Sequence, residues 1–297
     1  MRATVPLRIW PYSIALFAGV LLLLLLVRIL PGDRRDHTIA AQTRVFLDAP
    51  LPQGNLRILA LGSSLLWAAT PQPMQMQQQA LPGIAWLRMT KGGGGSGYLQ
   101  ESIAALKRHP PDVLVIEENL LLPDTGDVLM DQLRQDLSQL GKRTVSLLSG
   151  ARLSPPISAY WERNDQDGPF LCLSDRIRTT PDQLHSQVNM LQKIYMDAQF
   201  DKDLLGTLTT LAYRGVQLVL LDIPRSPEVE QRTLLQKQYW INELKKSLIP
   251  SNNIRYLSFP APSQATLYCD LGHLNARGAS LFSPWWQAQL QQLRQVR

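Results

Sequence analysis

The chain has 297 residues, which is enough for one large domain and a smaller appendage. Its formal net charge is +6, and the first 36 residues hold 5 of its 30 basic and 2 of its 24 acidic side chains. The remaining 25 basic and 22 acidic side chains nearly balance. So small an excess of positive charge does not indicate nucleic-acid binding.

The N-terminal segment contains an uncharged stretch at residues 9–27, with six consecutive leucines. A stretch of about 20 apolar residues is long enough to cross a bilayer as a helix. A cleaved signal peptide usually has a shorter apolar region followed by small residues, whereas arginines follow this one. We therefore predict a signal anchor (transmembrane helix) at residues 1–30 and a stalk at 31–54. Basic residues on both sides of the stretch leave its orientation open.

The first predicted strand, Leu56 to Leu61, is followed by Gly62, two serines and a helix-like Leu-Leu-Trp. A strand, a glycine turn and a helix would place the Ser64 hydroxyl at the carboxyl end of the strand. Open α/β sheets bind ligands at that edge, and the turn directs the first N–H groups of the helix towards it. A serine that only caps the helix would give the same pattern.

The rest of the chain alternates between predicted strands and helices. Strands are predicted at 84–89, 113–116, 216–221 and 254–257, and helices at 98–107, 124–148, from Thr180, at 201–213, at 226–248 and after Asn275. Residues near 150–200 contain an irregular insertion. The alternation predicts an α/β fold, a three-layer sandwich with a central, mostly parallel sheet covered by helices on both faces.

Polar residues follow several of these strands, so they should meet at one edge of the sheet. Ser64 follows the first strand, a glycine-rich loop at 91–97 follows the second, and Asn119 follows the third. Asp270 and His273 come shortly before the last helix. A nucleophile, backbone and amide N–H donors and an acid–base pair are the parts that acyl transfer needs.

His273 is the predicted general base among four histidines. It has a carboxylate three residues earlier, Asp270, within reach of one imidazole nitrogen across a single turn. His37 lies in the predicted stalk, His109 precedes two prolines, and His185 falls in the first turn of a helix.

Other residues that could contact substrate have simpler interpretations. Asp222 and Arg225 follow the fourth strand at the same edge, where helix-start or surface roles are expected. The tryptophans are expected mainly in the core, although indole rings can also stack on sugars. They include Trp67, Trp161, Trp285 and Trp286.

In this order and spacing, these motifs resemble the SGNH (GDSL-like) hydrolase superfamily. Gly62-Ser63-Ser64 is similar to its first block, with Ser63 where many members have aspartate. The resemblance therefore implies that Ser64 is the nucleophile, and it covers roughly residues 55–297 as an SGNH-like (flavodoxin-like) catalytic domain. Asp270-Leu-Gly-His273 is similar to the last block.

The resemblance also implies three oxyanion donors: the N–H groups of Ser64 and Gly97, and the amide of Asn119. Gly94 or Gly95 could replace Gly97 in the same loop. Glutamates at 117 and 118 stand where members usually have glycines. His273 would take the proton of Ser64 while Asp270 orients the imidazole. This mechanism needs neither a metal ion nor a cofactor.

Gly-Ser-Ser in the first block, the N-terminal anchor and Asp-x-x-His-Leu-Asn-x-x-Gly look most like one membrane-tethered branch. That branch includes the teichoic-acid D-alanylation and alginate O-acetylation proteins. The resemblance implies a single-pass protein of the inner (cytoplasmic) membrane whose domain faces the periplasm. It also implies acyl transfer to a cell-envelope or secreted polysaccharide beside a membrane-bound O-acyltransferase.

Two other functions stay open. One is a carbohydrate esterase that removes acyl groups from the same polymers, and the other is a non-catalytic adaptor of a membrane-bound O-acyltransferase. Glycosidase chemistry through residues 117 and 118 is less expected, because neighbours on a strand point to opposite faces.

The chain has two cysteines and no C-x-x-C motif, so a structural zinc site is not expected. Two cysteines fit one disulfide in an oxidising compartment or two buried thiols in the cytosol. Since an exported chain permits a disulfide, we predict one between Cys172, in the insertion, and Cys269, beside the predicted catalytic loop.

Overall fold

A central sheet of five parallel strands organises the protein, whose structure is a computed structural model. The strands lie in the order β2-β1-β3-β4-β5, which is the order of flavodoxin-like folds. Their bounds are β1 (Leu56–Gly62), β2 (Ile84–Thr90), β3 (Val113–Glu117), β4 (Gln217–Asp222) and β5 (Ile254–Ser258). All four neighbouring pairs are parallel, so their carboxyl ends share one edge of the sheet.

The structure describes Gly19 and residues 39–71, 81–91, 94–104, 106, 109–122, 179–197, 199–248, 253–260 and 263–295. The described residues from Ile39 onward belong to one compact unit. The predicted anchor, apart from Gly19, and the predicted helix at 124–148 lie outside the described residues. Within the described ranges, no helix combines the length and apolarity needed to cross a membrane.

Seven helices accompany the sheet in the described part of the chain. They are α1 (Ile39–Asp48), α2 (Ser64–Ala69), α3 (Ser96–Ala104), α4 (Pro181–Asp197), α5 (Lys202–Tyr213), α6 (Pro227–Ser247) and α7 (Ala276–Gln295). Short 3-10 helices lie at Glu118–Leu121 and Ala265–Leu267.

The sheet is buried on both faces. Leu59 and Leu61 of β1 belong to a core with residues of α3, α5 and α6, whereas Ile58 and Ala60 belong to a second core with residues of α2 and α7. Alternate residues of a strand point to opposite faces, so a strand covered on both sides is apolar throughout. The predicted α/β sandwich is therefore confirmed, and in the described part every strand of the sheet is parallel.

Part of the predicted stalk belongs to the folded domain instead. Residues 39–48 form helix α1, in which Leu47 is buried in the core. The Thr43 hydroxyl donates to the sulfur of Met89 at 2.8 Å, and the Arg57 guanidinium donates to the Leu47 carbonyl at 2.6 Å. The prediction treated a packed helix as a linker, because proline and glycine flank it on both sides.

Two predicted helix starts can be checked against hydrogen bonds. Thr180 and Gln183 form a reciprocal capping box, with bonds of 2.9 and 3.2 Å, so this prediction is confirmed. Ser226 occupies the N-cap of α6, but its side chain makes no capping bond. The carboxylate of Glu230 instead accepts from the Arg225 N–H at 2.7 Å.

Candidate active site

The turn between β1 and α2 brings Ser64 to the carboxyl edge of the sheet. Ser63 is the N-cap of α2, and Ser64 is the first residue of the helix. Gly62 allows a very close approach here, because an added Cβ would lie 2.4 Å from the Cβ of Leu66. The small residue at the end of the strand therefore lets the helix begin directly above it, and Ser64 stays partly exposed.

Ser64, His273 and Asp270 form a continuous series of hydrogen bonds. The His273 Nε2 lies 2.8 Å from the Ser64 Oγ, although the two residues are 209 positions apart. The His273 Nδ1 lies 2.7 Å from the Asp270 Oδ2. A carboxylate only accepts, so Nδ1 carries a hydrogen and Nε2 of the neutral ring is the acceptor for the serine hydroxyl. The structure thus assembles the three predicted catalytic side chains in the geometry of a base and its nucleophile.

Asp270 is held in its ionised form by its surroundings. Burial disfavours the charged carboxylate, but hydrogen bonds from the His273 ring and from two backbone N–H groups outweigh it. These N–H groups belong to Gly272 and His273, at 2.7 and 2.8 Å from Oδ1. The pKa of Asp270 is consequently lower than its ordinary value.

The loop that carries the acid–base pair is fixed at both ends. The Cys269 N–H donates to the His273 carbonyl at 2.9 Å, closing the turn. Asn275 then caps α7 by accepting from the Gly278 N–H at 3.0 Å. Cys269 is also disulfide-bonded, as the predicted bridge requires, while Cys172 lies outside the described residues.

Glu117 supports the serine turn (residues 62–66, at the junction of β1 and α2), a role that the sequence analysis missed. Its fully buried carboxylate accepts from the Ser63 N–H at 2.7 Å, the Ser63 hydroxyl at 2.5 Å and the Leu66 N–H at 3.0 Å. The Asn119 Nδ2 donates to the same carboxylate at 3.0 Å. Only the position of Glu117 at a strand end beside a helix N-terminus could have indicated this role in the sequence.

The N–H groups at the start of α2 leave one donor for a ligand. The first N–H groups of a helix have no intrahelical partner. The Leu65 N–H donates to the Ser63 hydroxyl at 3.2 Å and the Leu66 N–H to Glu117. Among the described residues, none accepts from the Ser64 N–H, which is the predicted oxyanion donor.

In the glycine-rich loop, the two alternatives to Gly97 lie closer to the cavity than Gly97 does. Gly97 lies exposed in the first turn of α3, outside the lining of the cavity, whereas Gly94 and Gly95 line it. The Gly94 N–H donates to the Lys91 carbonyl at 3.0 Å. The Gly95 N–H has no acceptor within the described ranges, so the structure favours Gly95 over Gly97.

Asn119 lies at the cavity as expected, and its amide is already held by two charged groups. The side chain is 8% exposed and lines the cavity. The Arg225 Nη2 donates to its Oδ1 at 2.6 Å, opposite the contact between Nδ2 and Glu117. Arg225 is half-buried and also lines the cavity, so it lies where it could contact substrate.

A cavity of about 780 Å³ opens beside the serine. Its size lies within the range of small-molecule sites, about 300–1,000 Å³. Helix α4 forms one wall, with both polar and apolar side chains. The wall includes Gln183, Ser186, Gln187, Met190, Leu191 and Ile194. The start of this helix belongs to the segment predicted as an insertion, so that segment contributes to the cavity.

A buried ionic cluster lies behind the site. Lys237 is 4% exposed, and its Nζ lies 2.7 Å from Asp222, 3.1 Å from Glu230 and 3.3 Å from Glu118. Burial and the Asp222 carboxylate raise the pKa of Glu118 to about 8, although Lys237 and a hydrogen bond from Tyr256 lower it. Asp222 is buried and paired, so its expected surface role is wrong.

Most of the tryptophan predictions can also be checked. Trp67 and Trp286 are buried, and Trp285 packs against the core on the α7 side of the sheet. Trp161 lies outside the described residues. In the described part of the chain, no group of His, Cys, Asp and Glu side chains is arranged to hold a metal ion.

Comparisons with known proteins give structural neighbours only. No protein-family model and no curated protein matches the chain. One similar solved structure is an acetyl xylan esterase (Est2A) from Butyrivibrio proteoclasticus, with 9% identity and a TM-score of 0.35. A second is a family two carbohydrate esterase from Clostridium thermocellum in complex with cellohexaose, with 10% identity and a TM-score of 0.35.

A third is a carbohydrate esterase family 2 enzyme with a carbohydrate binding domain from Corynascus thermopiles, with 12% identity and a TM-score of 0.36. The alignments cover 82%, 82% and 81% of this chain and 66% of each of the other chains. The chain therefore spans just under two thirds of the length of these esterases. At such identities and TM-scores the likeness does not indicate a function for this chain.

Proposed function

We propose that the protein is a serine enzyme that cleaves acyl esters through an acyl-Ser64 intermediate. The observation that carries this proposal is the hydrogen-bonded series of Ser64, His273 and Asp270 at the wall of an open cavity. A serine hydroxyl is a weak nucleophile until an adjacent base accepts its proton, and His273 Nε2 lies within reach to do so.

The first half of the reaction forms the acyl-enzyme. Ser64 Oγ attacks the carbonyl carbon of the ester while His273 Nε2 takes its proton. Asp270 stabilises the imidazolium ion that results, without becoming protonated itself. The tetrahedral intermediate collapses, its bond to the alcohol oxygen breaks, and His273 returns the proton to that oxygen. The second half repeats these steps with water or another hydroxyl as the attacking group.

The negative oxygen of the intermediate needs donors that are already in place. The Ser64 N–H, the Gly95 N–H and the Asn119 Nδ2 are assigned this role, since all three residues line the cavity. Removal of one such donor typically costs about 10²–10³ in rate. Asn119 is the donor most accessible to mutation because it acts through a side chain.

The proposed substrates are acyl esters of carbohydrates. The α4 wall supports this class, because Gln183, Ser186 and Gln187 offer hydrogen-bonding groups suited to sugar hydroxyls. Met190 and Leu191 on the same helix offer apolar surface suited to an acyl group. The resemblance of the sequence to the SGNH superfamily points to the same chemistry.

Hydrolysis and transfer share the acyl-Ser64 intermediate, and both belong to the proposal. Transfer to an envelope or secreted polysaccharide is supported by the uncharged stretch at residues 9–27. An anchor there would hold the domain in the periplasm at the inner membrane, next to a membrane-bound O-acyltransferase that supplies acyl groups. Hydrolysis requires no such partner.

The catalytic proposal is tested with the purified full chain and p-nitrophenyl acetate. Ser64→Ala and His273→Ala are expected to lose nearly all activity, and a fluorophosphonate should label Ser64 in the wild type but neither of these two variants. Ser63→Ala is the matched control and should keep much of the activity, since the Ser63 hydroxyl faces Glu117. A wild type that is neither active nor labelled would refute the proposal and favour the adaptor function.

Transfer is separated from hydrolysis in the cell. Ser64→Ala is introduced into the chromosomal gene, and ester-linked acyl groups on the cell's polysaccharides are measured by NMR. A decrease indicates that the protein adds acyl groups, whereas an increase indicates that it removes them.

A further inference from the structure

The Asn119 amide is held from opposite sides by two charged residues that the proposed mechanism does not use. The Arg225 Nη2 donates to its Oδ1 at 2.6 Å, and its Nδ2 donates to the Glu117 Oε1 at 3.0 Å. We propose that Arg225 and Glu117 are positioning residues that fix this amide for oxyanion stabilisation. The proposal rests on the proposed function and adds two residues to its machinery.

The two partners permit only one orientation of the amide. A guanidinium group has donors and no acceptor, and an ionised carboxylate has acceptors and no donor. Rotation of the amide by 180° would place Nδ2 against Arg225 and Oδ1 against Glu117. Both contacts would then be repulsive, so the orientation is fixed by two independent interactions rather than by packing alone.

The fixed orientation leaves one amide hydrogen for a ligand. The Nδ2 group of Asn119 carries two hydrogens, and Glu117 accepts one of them. The second has no acceptor among the residues that the structure describes. Because Asn119 lines the cavity beside Ser64, this hydrogen is available to the developing oxyanion.

Glu117 also ties the amide to the nucleophile. The carboxylate that accepts from Asn119 accepts from the Ser63 N–H and the Leu66 N–H, on either side of Ser64. One buried group thus determines the distance between the serine turn and the amide. Donors that are in place before the reaction need no reorganisation when charge develops.

Arg225 also contacts groups outside the catalytic series. Its Nη1 donates to the Tyr195 hydroxyl at 3.1 Å, and its backbone N–H donates to Glu230 at 2.7 Å. Neither contact involves Asn119. They also provide a control, because Tyr195→Phe removes a hydrogen bond of Arg225 and leaves the Asn119 contact intact.

The test is a double-mutant cycle on the full chain, with kcat and KM for p-nitrophenyl acetate. Asn119→Ala is expected to lower kcat by about 10²–10³. Arg225→Met is expected to lower kcat by about 10-fold or more in the wild type. In the Asn119→Ala background it should lower kcat by less than about 3-fold, because the effects of mutating residues that act as a unit are not additive. Tyr195→Phe should change kcat by less than about 3-fold, and Arg225→Lys should recover part of the loss.

An equal loss in both backgrounds would overturn the proposal, since Arg225 would then bind substrate directly. A second measurement does not depend on turnover. The two Nδ2 hydrogens of Asn119 are followed by ¹H–¹⁵N NMR and assigned by their absence in Asn119→Asp. Arg225→Met should shift them and Tyr195→Phe should not. If Arg225→Met leaves them unchanged, the positioning role is refuted. An inactive wild type would instead refute the proposed function.

Discussion

Two adjacent glutamates at the end of β3 have opposite surroundings. Glu117 accepts hydrogen bonds from backbone, hydroxyl and amide groups of the serine turn and of Asn119. Glu118 lies among ionisable side chains, with Lys237 at 3.3 Å and the Tyr256 hydroxyl at 2.8 Å. Both are at most 1% exposed. Glu117 ends β3 and Glu118 begins the 3-10 helix, so the first lies against the serine turn and the second in the buried ionic cluster.

The difference shows what each carboxylate requires of its neighbours. Within the described part of the chain, each hydrogen bond of Glu117 comes from a donor, so both of its oxygens act as acceptors. Glu118 has the Asp222 carboxylate beside it, and burial together with this like charge raises its pKa to about 8. The surroundings of Glu117 therefore require an acceptor at both oxygens. Those of Glu118 favour a protonated carboxyl group near neutral pH.

The largest expected effect on stability follows from removing the ammonium group of Lys237, which contacts Glu118. Lys237→Met leaves two buried carboxyl groups, those of Glu118 and Asp222, and the half-buried one of Glu230 without their shared partner. Breaking a buried ion pair typically costs about 3–5 kcal/mol. Urea unfolding at pH 7 measures the change. A loss below about 1 kcal/mol would mean that the cluster contributes little to folding.

The next prediction compares the same isosteric substitution at both glutamates. Glu117→Gln places an NH₂ group against two donors whichever way the amide turns, because each Glu117 oxygen accepts two hydrogen bonds. Leaving buried donors unsatisfied should lower the free energy of unfolding by about 2–4 kcal/mol. Glu118→Gln can donate to Asp222 as the protonated carboxyl group does, so near pH 4.5 it should change stability by less than about 1 kcal/mol. Equal losses of unfolding free energy for the two variants, measured with urea, would contradict the assigned difference between Glu117 and Glu118.

The sequence predicts the parts of the site whose signals are local. The strand, Gly62 and Ser64 are consecutive, and Asp270 and His273 are three positions apart. The parallel sheet then explains why residues 209 positions apart meet, because the carboxyl ends of its strands share one edge. The α/β class follows from the alternation of strands and helices for the same reason.

The parts that sequence reasoning missed depend on long-range packing. Arg225 and Asn119 are 106 positions apart, and no spacing rule brings their side chains together. Gly97 was favoured over Gly95 because Ser96-Gly97 resembles the second SGNH block ahead of a helix, whereas the helix begins at Ser96 and includes Gly97. The role of Glu117 required knowledge of which face of the sheet carries the serine turn.

The third prediction uses the raised pKa of Glu118. A carboxyl group whose pKa is higher in the folded state binds more protons there, so its contribution to stability is lost as pH rises towards about 8. Wild-type stability should therefore fall relative to Glu118→Gln between about pH 4.5 and 8, by up to about 1.4 kcal/mol per pH unit. Above pH 8 the difference should be constant. Urea unfolding of both proteins from pH 5 to 9 measures it, and parallel pH profiles would contradict the assigned shift.

The smallest expected effects come from removing one hydroxyl on each side. Ser63→Ala removes a donor to Glu117 and the N-cap of α2, which should lower stability by about 1–2 kcal/mol with little change in pH dependence. Tyr256→Phe removes a donor to Glu118 and should cost about 1 kcal/mol.

The two hydroxyl deletions should nevertheless differ in their pH profiles. The hydrogen bond from Tyr256 lowers the pKa of Glu118, so its loss should raise that pKa further and extend the fall in stability to higher pH. Ser63→Ala should leave the end of the fall near pH 8, because Ser63 contacts Glu117 and not Glu118. Unfolding of both variants at closely spaced pH values between 7 and 9 makes the comparison. If Ser63→Ala moves the end of the fall and Tyr256→Phe does not, the group that titrates in this range is not Glu118, and the roles assigned to the two glutamates are wrong.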